Sequence, residues 1–396
     1  PSPTYSLQAQ GNQARLGQPI PVLYGRHIIY PDLAATPYTR YENNDQILYQ
    51  LHCVGQGDYD LESIRIEDTP ISSFEEIEYE VLAPGQAITL FDADVVTAPE
   101  VAGQELLSTA NNGDWIGPFT ANPADTQAER LSIDILLPRG LYYANDTGGL
   151  ETRSLSWRIE AQAIDDSGEP LGNWFVLGEE SHSAATNTAL RFTFDYPVTP
   201  GRYAVRAIRL DSKDSSARAG HELRWGALKS HLVGQPDFGD VTLLALRMKA
   251  TDNLSQRSSR LVNCIVTRRL PIWDAQTQEW TSPQATRSIA WALADQCRAN
   301  YGAGLADTRL DLQALTELDQ TWNARGDYFD AVFDQSVTVW ESLSRTARCG
   351  RAVAYMQGGT VRFVRDAPKT IPVALFSPRN IVKGSLRIEY LMASDD

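Results

Sequence analysis

Cysteine is scarce in this chain and never paired: Cys53, Cys264, Cys297 and Cys349 stand far apart, with no C-x-x-C motif. That spacing excludes the disulfide framework of a small secreted domain and the common zinc pattern, so the four read as buried, reduced thiols. Cationic runs are missing as well. Fifty acidic residues against 35 basic ones give a formal charge of −15, which leaves counterion release from a phosphate backbone little to work with and argues against a grip on nucleic acid. The same surface suits a conduit through which DNA slides without sticking. No apolar stretch reaches the ~18 residues that span a bilayer, and no charged-then-apolar signal is present, so the chain as written reads as soluble. It begins without an initiator Met and ends in "IEYLMASDD" soon after an apolar run, which reads as a piece of a longer protein.

Catalytic signatures are absent too. His27, His52, His182, His221 and His231 form no H-x-x-x-H pair, and a metal site would have to be assembled from distant segments. His182 lies in the polar text "EESHSAATN", but no G-x-S-x-G elbow supplies it with a nucleophile. The glycine turns "GQGDYD" and "MQGGTV" lack the lysine and the strand, loop and helix order of a phosphate cradle. A glycosidase pair needs a cleft holding two carboxylates ~5 to 9 Å apart, and abundance alone does not supply one. The reading is a non-enzyme with no cofactor and no metal.

What is present is a β-rich pattern. An apolar share of 42% is ample for the packed cores of two or three domains. In "QILYQLHCVG", Ile47, Tyr49, Leu51 and Cys53 share one face and Gln50 and His52 the other, a half-buried strand. The glycines at 55 and 57 predict a reversal into a second strand through Ile64 and Ile66, forming a hairpin. "FEEIEYEVLAPG" adds another alternating run. The loop-like "NNGDWIGPFTANPADT" marks a boundary, after which six short runs, from "LSIDILLP" to "VTLLALRMKA", follow one another between turns. They predict a two-sheet sandwich over residues 127–250, similar to an immunoglobulin-like or fibronectin type III domain without a disulfide. The last third predicts three helices. One carries Ile289, Leu293 and Cys297 on a face, a second Leu312, Leu315, Leu318 and Trp322, and a third Trp340, Leu343 and Ala347 behind a cap at Asp334 or Ser336. A hairpin around Gly358 and Gly359 closes this α+β unit. The expected division is therefore 1–126, 127–250 and 251–396.

The most unusual local cluster is "YGRHIIYPDLAATPYTRYENNDQ". Tyr24, Arg26, Tyr30, Tyr38, Arg40 and Tyr41 are residue types favoured at buried protein interfaces, and the same text also fits a long loop packed on its own domain.

Four blocks carry a wider resemblance: "QGNQARLGQPIPVLYGRHIIYPDLAATPY", "NNDQILYQLHCVGQGDYDLESIRIEDTPI", "LVNCIVTRRLPIWD" and "GDYFDAVFDQSVTVWESLSRTARCGRAVAYMQGGTVRFVRD". In this order they resemble the tip attachment proteins of phage tails, the host-specificity J type. The resemblance implies baseplate-hub-like domains carrying the sandwich as an insertion, and a virion structural role at the tail tip of a phage or prophage, with assembly in the bacterial cytoplasm. It implies a homotrimer that closes the tail tube beside other tail-tip and tube proteins, lets DNA pass, and reaches the host receptor through a distal portion outside this chain. The six clustered residues would then meet a neighbouring subunit. Two other classes remain open on the residues alone. One is an adhesive or carbohydrate-binding module, for which Trp115 and Trp174 look exposed; the other is a hydrolase that degrades the host envelope.

Overall fold

The computed structural model describes residues 12–251 and 261–368, together with 370, 374–387 and 389. The strand Asp45–Gln56 lies at the centre of the N-terminal region and is covered on both sides. Ile47 and Tyr49 face one cluster, while Leu48 and Val54 face the core between two sheets. Gln50 and His52 point the same way as Leu48 and are buried with it, so the strand is not half-buried as the alternation predicts. Alternation reveals two faces; it does not reveal that a second sheet covers the polar one.

The expected hairpin after Gln56 is also absent. Asp45–Gln56 pairs with Asp32–Leu33, Tyr38–Glu42 and Val241–Lys249, whereas Tyr59–Ile66 pairs with Val262–Leu270 and Thr69–Pro70 in the facing sheet. The glycines turn a corner between layers. Gly57 has φ +89°, and a Cβ there would collide with the Arg268 guanidinium. Leu48, Val54, Ile64, Leu244, Leu246 and Val266 fill the space between the two sheets, which form the wall of this region.

The run "VTLLALRMKA", expected in the sandwich, is the strand Val241–Lys249, and it sits between Asp45–Gln56 and Ile77–Leu82 in the wall. Its own composition explains the correction. Leu243 and Ala245 enter one apolar cluster and Leu244 and Leu246 another, so it needs cover on both faces, which a central strand receives. The chain thus leaves the wall after Leu82 and returns at Val241.

Between these points lies the sandwich. One sheet brings together Arg224–Leu232, Ala128–Leu137 and the first half of Leu190–Arg209; the other joins the second half of that 20-residue strand to Arg153–Ile164 and Phe175–Ala184. Ile133, Ile135, Trp157, Ile159, Val205 and Trp225 are buried in its core. Val95–Thr97, Gln104–Glu105 and Ile116–Thr120 also pair within it, so its pairing begins well before 127 and ends at Leu232. The register of Ile116–Thr120 shifts at its Gly-Pro step, which is why that stretch reads as loop.

In the last third, the helices Ile289–Arg298 and Leu312–Arg325 are capped by Ser288 and Asp311 and bury the predicted faces, Leu318 only in part. The third helix, Val339–Cys349, is capped by Thr338, whose side chain accepts from the Glu341 amide, and not by Asp334 or Ser336. Leu343 and Ala347 are buried, but Trp340 lies in the first turn, beyond the covered part, and is exposed. The strands Ala352–Gln357 and Thr360–Arg365 form the predicted hairpin, with Gly358 and Gly359 at positive φ. Cys264 and Cys297 are buried, Cys53 is half-buried and Cys349 is exposed; all four are free.

Candidate subunit-contact surface

The segment from Val22 to Asn44 holds the wall to both of its neighbours. At its start, Val22–Tyr24 pairs with Ala331–Phe333 of the C-terminal unit. Tyr24 is buried between Phe329 and Phe333, with ring centroids 5.9 Å away in each case, and its hydroxyl donates to Asp295 Oδ2 at 2.7 Å. Burial first, and the Asp295 charge second, push its phenol well above the usual range. Gly25 follows with φ +78°, because a Cβ would strike the Phe329 carbonyl oxygen and Asp330. Asp330 in turn accepts from the Arg26 amide and from Arg287 Nε, each at 2.9 Å.

At its other end the segment meets the sandwich. Lys229, buried, donates to both oxygens of buried Asp134 at 2.7 Å and to the Thr39 carbonyl. Thr193 Oγ1 donates to Asp134 at 2.6 Å and accepts from the Tyr41 amide at 2.8 Å. Arg40 pairs with Asp195, its Nη1 lying 3.2 Å from Oδ1. The Asn44 carbonyl accepts from Arg191, whose guanidinium lies 5.1 Å from the centre of the Tyr41 ring. Tyr38 stacks on Tyr49 at 4.8 Å and donates to the Asp92 carbonyl at 3.0 Å. Burial pushes the Tyr41 phenol up to about 12.

The six residues singled out in the sequence therefore separate. Tyr24, Tyr38, Arg40 and Tyr41 make these contacts within their own chain, with Tyr24 and Tyr38 buried. Arg26 is exposed and paired with Glu62 at 3.0 Å. Tyr30 is 60% exposed, and Ile28 beside it 65%.

Those two side chains open onto a surface that the sequence did not mark. The segment from Arg15 to Pro21 forms a ridge with three clefts along it. One, of about 250 Å³, is lined by Pro19, Ile20, Val22, Phe333, Val337 and Val339. A second, of about 170 Å³, holds Leu16, Ile20 and Cys53. The third, of about 240 Å³, holds Leu23, Ile28, Tyr30 and Asp334. Leu16, Ile20 and Val337 are exposed at the mouths. The only signal for this was "QPIP", where two prolines keep Ile20 out of a sheet interior.

Trp115 and Trp174 each lie over the Arg206 guanidinium, 4.2 and 4.0 Å from the ring centres, and Arg206 is held by Glu160. One face of each ring is thus taken. Among the described residues no three His, Cys, Asp or Glu side chains converge as metal ligands, and no helix is long and apolar enough to cross a membrane.

Residues 112–232 match the family model of the FNIII-A domain of tip attachment protein J. Over those residues the chain resembles the structural tail-tip proteins of bacteriophages. Within that class it is similar to tip attachment protein J, and the matched part is the inserted sandwich, outside the blocks that carried the resemblance. No curated protein matches the chain. Among solved structures, the VP2 subviral particle of infectious bursal disease virus is 10% identical over 63% of this chain and 78% of that one, with a TM-score of 0.22. The receptor binding domain of spike protein P1 from bacteriophage PM2 is 10% identical over 39% of this chain and 95% of that one, with a TM-score of 0.18. Such slight likenesses bear on neither fold nor function.

Proposed function

We propose that this chain is the tube-proximal hub of a phage or prophage tail tip, a homotrimer that closes the tail tube and carries the distal host-recognition part. The observation that carries the reading is the matched FNIII-A module, joined to a two-sheet wall by the Arg40–Asp195 ion pair and by the hydrogen bonds of Lys229 to the Thr39 carbonyl and of the Tyr41 amide to Thr193. In this reading the domains follow the strand pairing: the wall from residues 22–82 with 241–270, the sandwich 95–232 and the C-terminal unit beyond. Other tail-tip and tube proteins meet the wall. DNA passes through the ring without tight binding, in keeping with a charge of −15. Receptor contact belongs to the distal portion.

The test is a phage lacking the gene, complemented with a tagged copy. Tails should lack a closed tip without the copy, and the tag should be found there in threefold averaged images with it. Normal tips in its absence, or a tag elsewhere on the particle, would overturn the reading.

A further inference from the structure

We propose that the segment 374–387 of one copy docks into the clefts along the Arg15–Pro21 ridge of the next copy; this rests on the trimer reading above and names the contact that closes the ring. A ring of identical subunits needs two unlike surfaces on each chain, a donor and an acceptor. The donor is marked by exposure. Leu375, Phe376, Val382 and Leu386 are between 67 and 80% exposed, although each is a large apolar side chain. Four such residues within a dozen positions are a partner contact or an aggregation liability, unlike single apolar residues scattered over a surface.

Charge selects the occupant's counterpart. The segment holds Arg379, Lys383 and Arg387 and no acid; setting these three aside leaves 32 basic residues against 50 acidic ones, a charge of −18 on the rest of the chain. A second copy therefore presents a field that draws the segment in. Asp334 stands at the rim of the third cleft and makes no ion pair among the described residues.

Shape agrees. Asn380 fixes a turn, accepting from the Ser377 amide at 2.7 Å and donating through Nδ2 to the Leu375 carbonyl at 2.7 Å. The turn separates Leu375 and Phe376 from Val382 and Leu386, giving two apolar arms. The ridge likewise separates the Val337 cleft from the one beside Tyr30, which gives each arm a seat.

Two variants of the 396-residue chain, Ile20→Cys and Phe376→Cys, each with Cys53→Ser and Cys349→Ser, provide the test. Mixed and oxidised, they should give a disulfide-linked pair that neither gives alone. In sedimentation, Phe376→Asp should raise the concentration of half-dissociation by at least about 30-fold, the loss typical of a buried anchor, with the thermal midpoint unchanged. A trimer that survives Phe376→Asp and yields no linked pair would overturn the docking and leave the trimer standing. A parent chain that stays monomeric at all concentrations would overturn both. Linkage within a single chain carrying both cysteines, without linkage in the mixture, would show the segment folding onto its own ridge and would also refute the proposal.

Discussion

The wall is joined to its two neighbours by opposite chemistry. Toward the C-terminal unit the seam is aromatic: Tyr24 sits among Phe329 and Phe333, and Arg268 lies 5.0 Å from the Tyr59 ring centre and donates to the Tyr301 hydroxyl at 2.9 Å. Toward the sandwich it is ionic and polar: Arg40 pairs with Asp195, Arg130 with Asp92, and Lys229, held by Asp134 inside the sandwich, reaches across to the Thr39 carbonyl. An aromatic seam gains from area and tolerates small shifts. An ionic seam gains little net energy from a buried pair but loses heavily when one partner is missing, so it fixes register more than it adds stability. The difference suits a module whose seat must be fixed: the sandwich is placed by charges that disfavour a misaligned register.

The coarsest way to break that comparison is to cut the chain. A piece covering 127–250 lacks the strands Val95–Thr97, Gln104–Glu105 and Ile116–Thr120 and carries Val241–Lys249 with both apolar faces bare. We expect it to be unfolded or aggregated, while a piece covering 93–234 gives a β spectrum and a cooperative melt. Equal behaviour of the two pieces would mean that the strand pairing does not delimit the folding unit.

At the sandwich face of this seam the largest single effect belongs to the buried pair. Lys229→Met leaves Asp134 charged, buried and short of its donor, and should cost about 3 to 5 kcal/mol in urea unfolding. Adding Asp134→Leu should restore most of the loss, because two apolar side chains remove the desolvation penalty together. A double variant as unstable as the single one would show that the hydrogen bonds to Thr39 and Thr193, and not the charges, hold the seam.

His52 tests the wall itself. Its imidazole is fully buried and neither nitrogen makes a hydrogen bond of full geometry; burial pulls its pKa down to about 4 against a pull upward from the Pro31 carbonyl. The folded state thus keeps it neutral while the unfolded state takes a proton from about pH 6.5 downward. Stability is complete above that pH and falls between 6.5 and about 4, by about 3 kcal/mol, before levelling off. His52→Leu should flatten this part of the profile, leaving a smaller slope from His231 and His221, whose pKa values burial also lowers. An unchanged slope in the variant would assign the acid loss elsewhere.

His52 also shows where sequence reading stops. Period two found the strand and split its faces correctly, but a face that carries Gln50 and His52 between Leu48 and Val54 does not announce the second sheet above it. The corner at Gly57 looked like a hairpin because a glycine tolerant of positive φ serves both uses; what decides is the Arg268 guanidinium, some 200 positions away. Helix faces and the Gly358–Gly359 hairpin were legible, being set by neighbours along the chain. The cluster from Tyr24 to Tyr41 was legible as unusual but its contacts were not, since residue type reports that an aromatic needs cover but not which surface supplies it.

The finest test therefore separates the two fates within that cluster. Ile28 and Tyr30 have little cover in the single chain, so Ile28→Ala with Tyr30→Ala should shift the unfolding free energy by no more than about 0.5 kcal/mol. Arg40→Ala with Tyr41→Ala removes a partly exposed ion pair and a half-buried ring from the ionic seam and should cost about 1 to 2 kcal/mol. In a phage lacking the gene the order should reverse. The Ile28 and Tyr30 pair, harmless to the fold, should abolish incorporation into tails because truncated interface anchors cost about 2 kcal/mol or more each. The Arg40 and Tyr41 pair should be incorporated in proportion to the folded protein that remains. Infectious particles at parental titre from the first pair would show that the patch beside the ridge faces solvent in the tail, and the comparison between engaged and open halves of the segment would then say nothing about assembly.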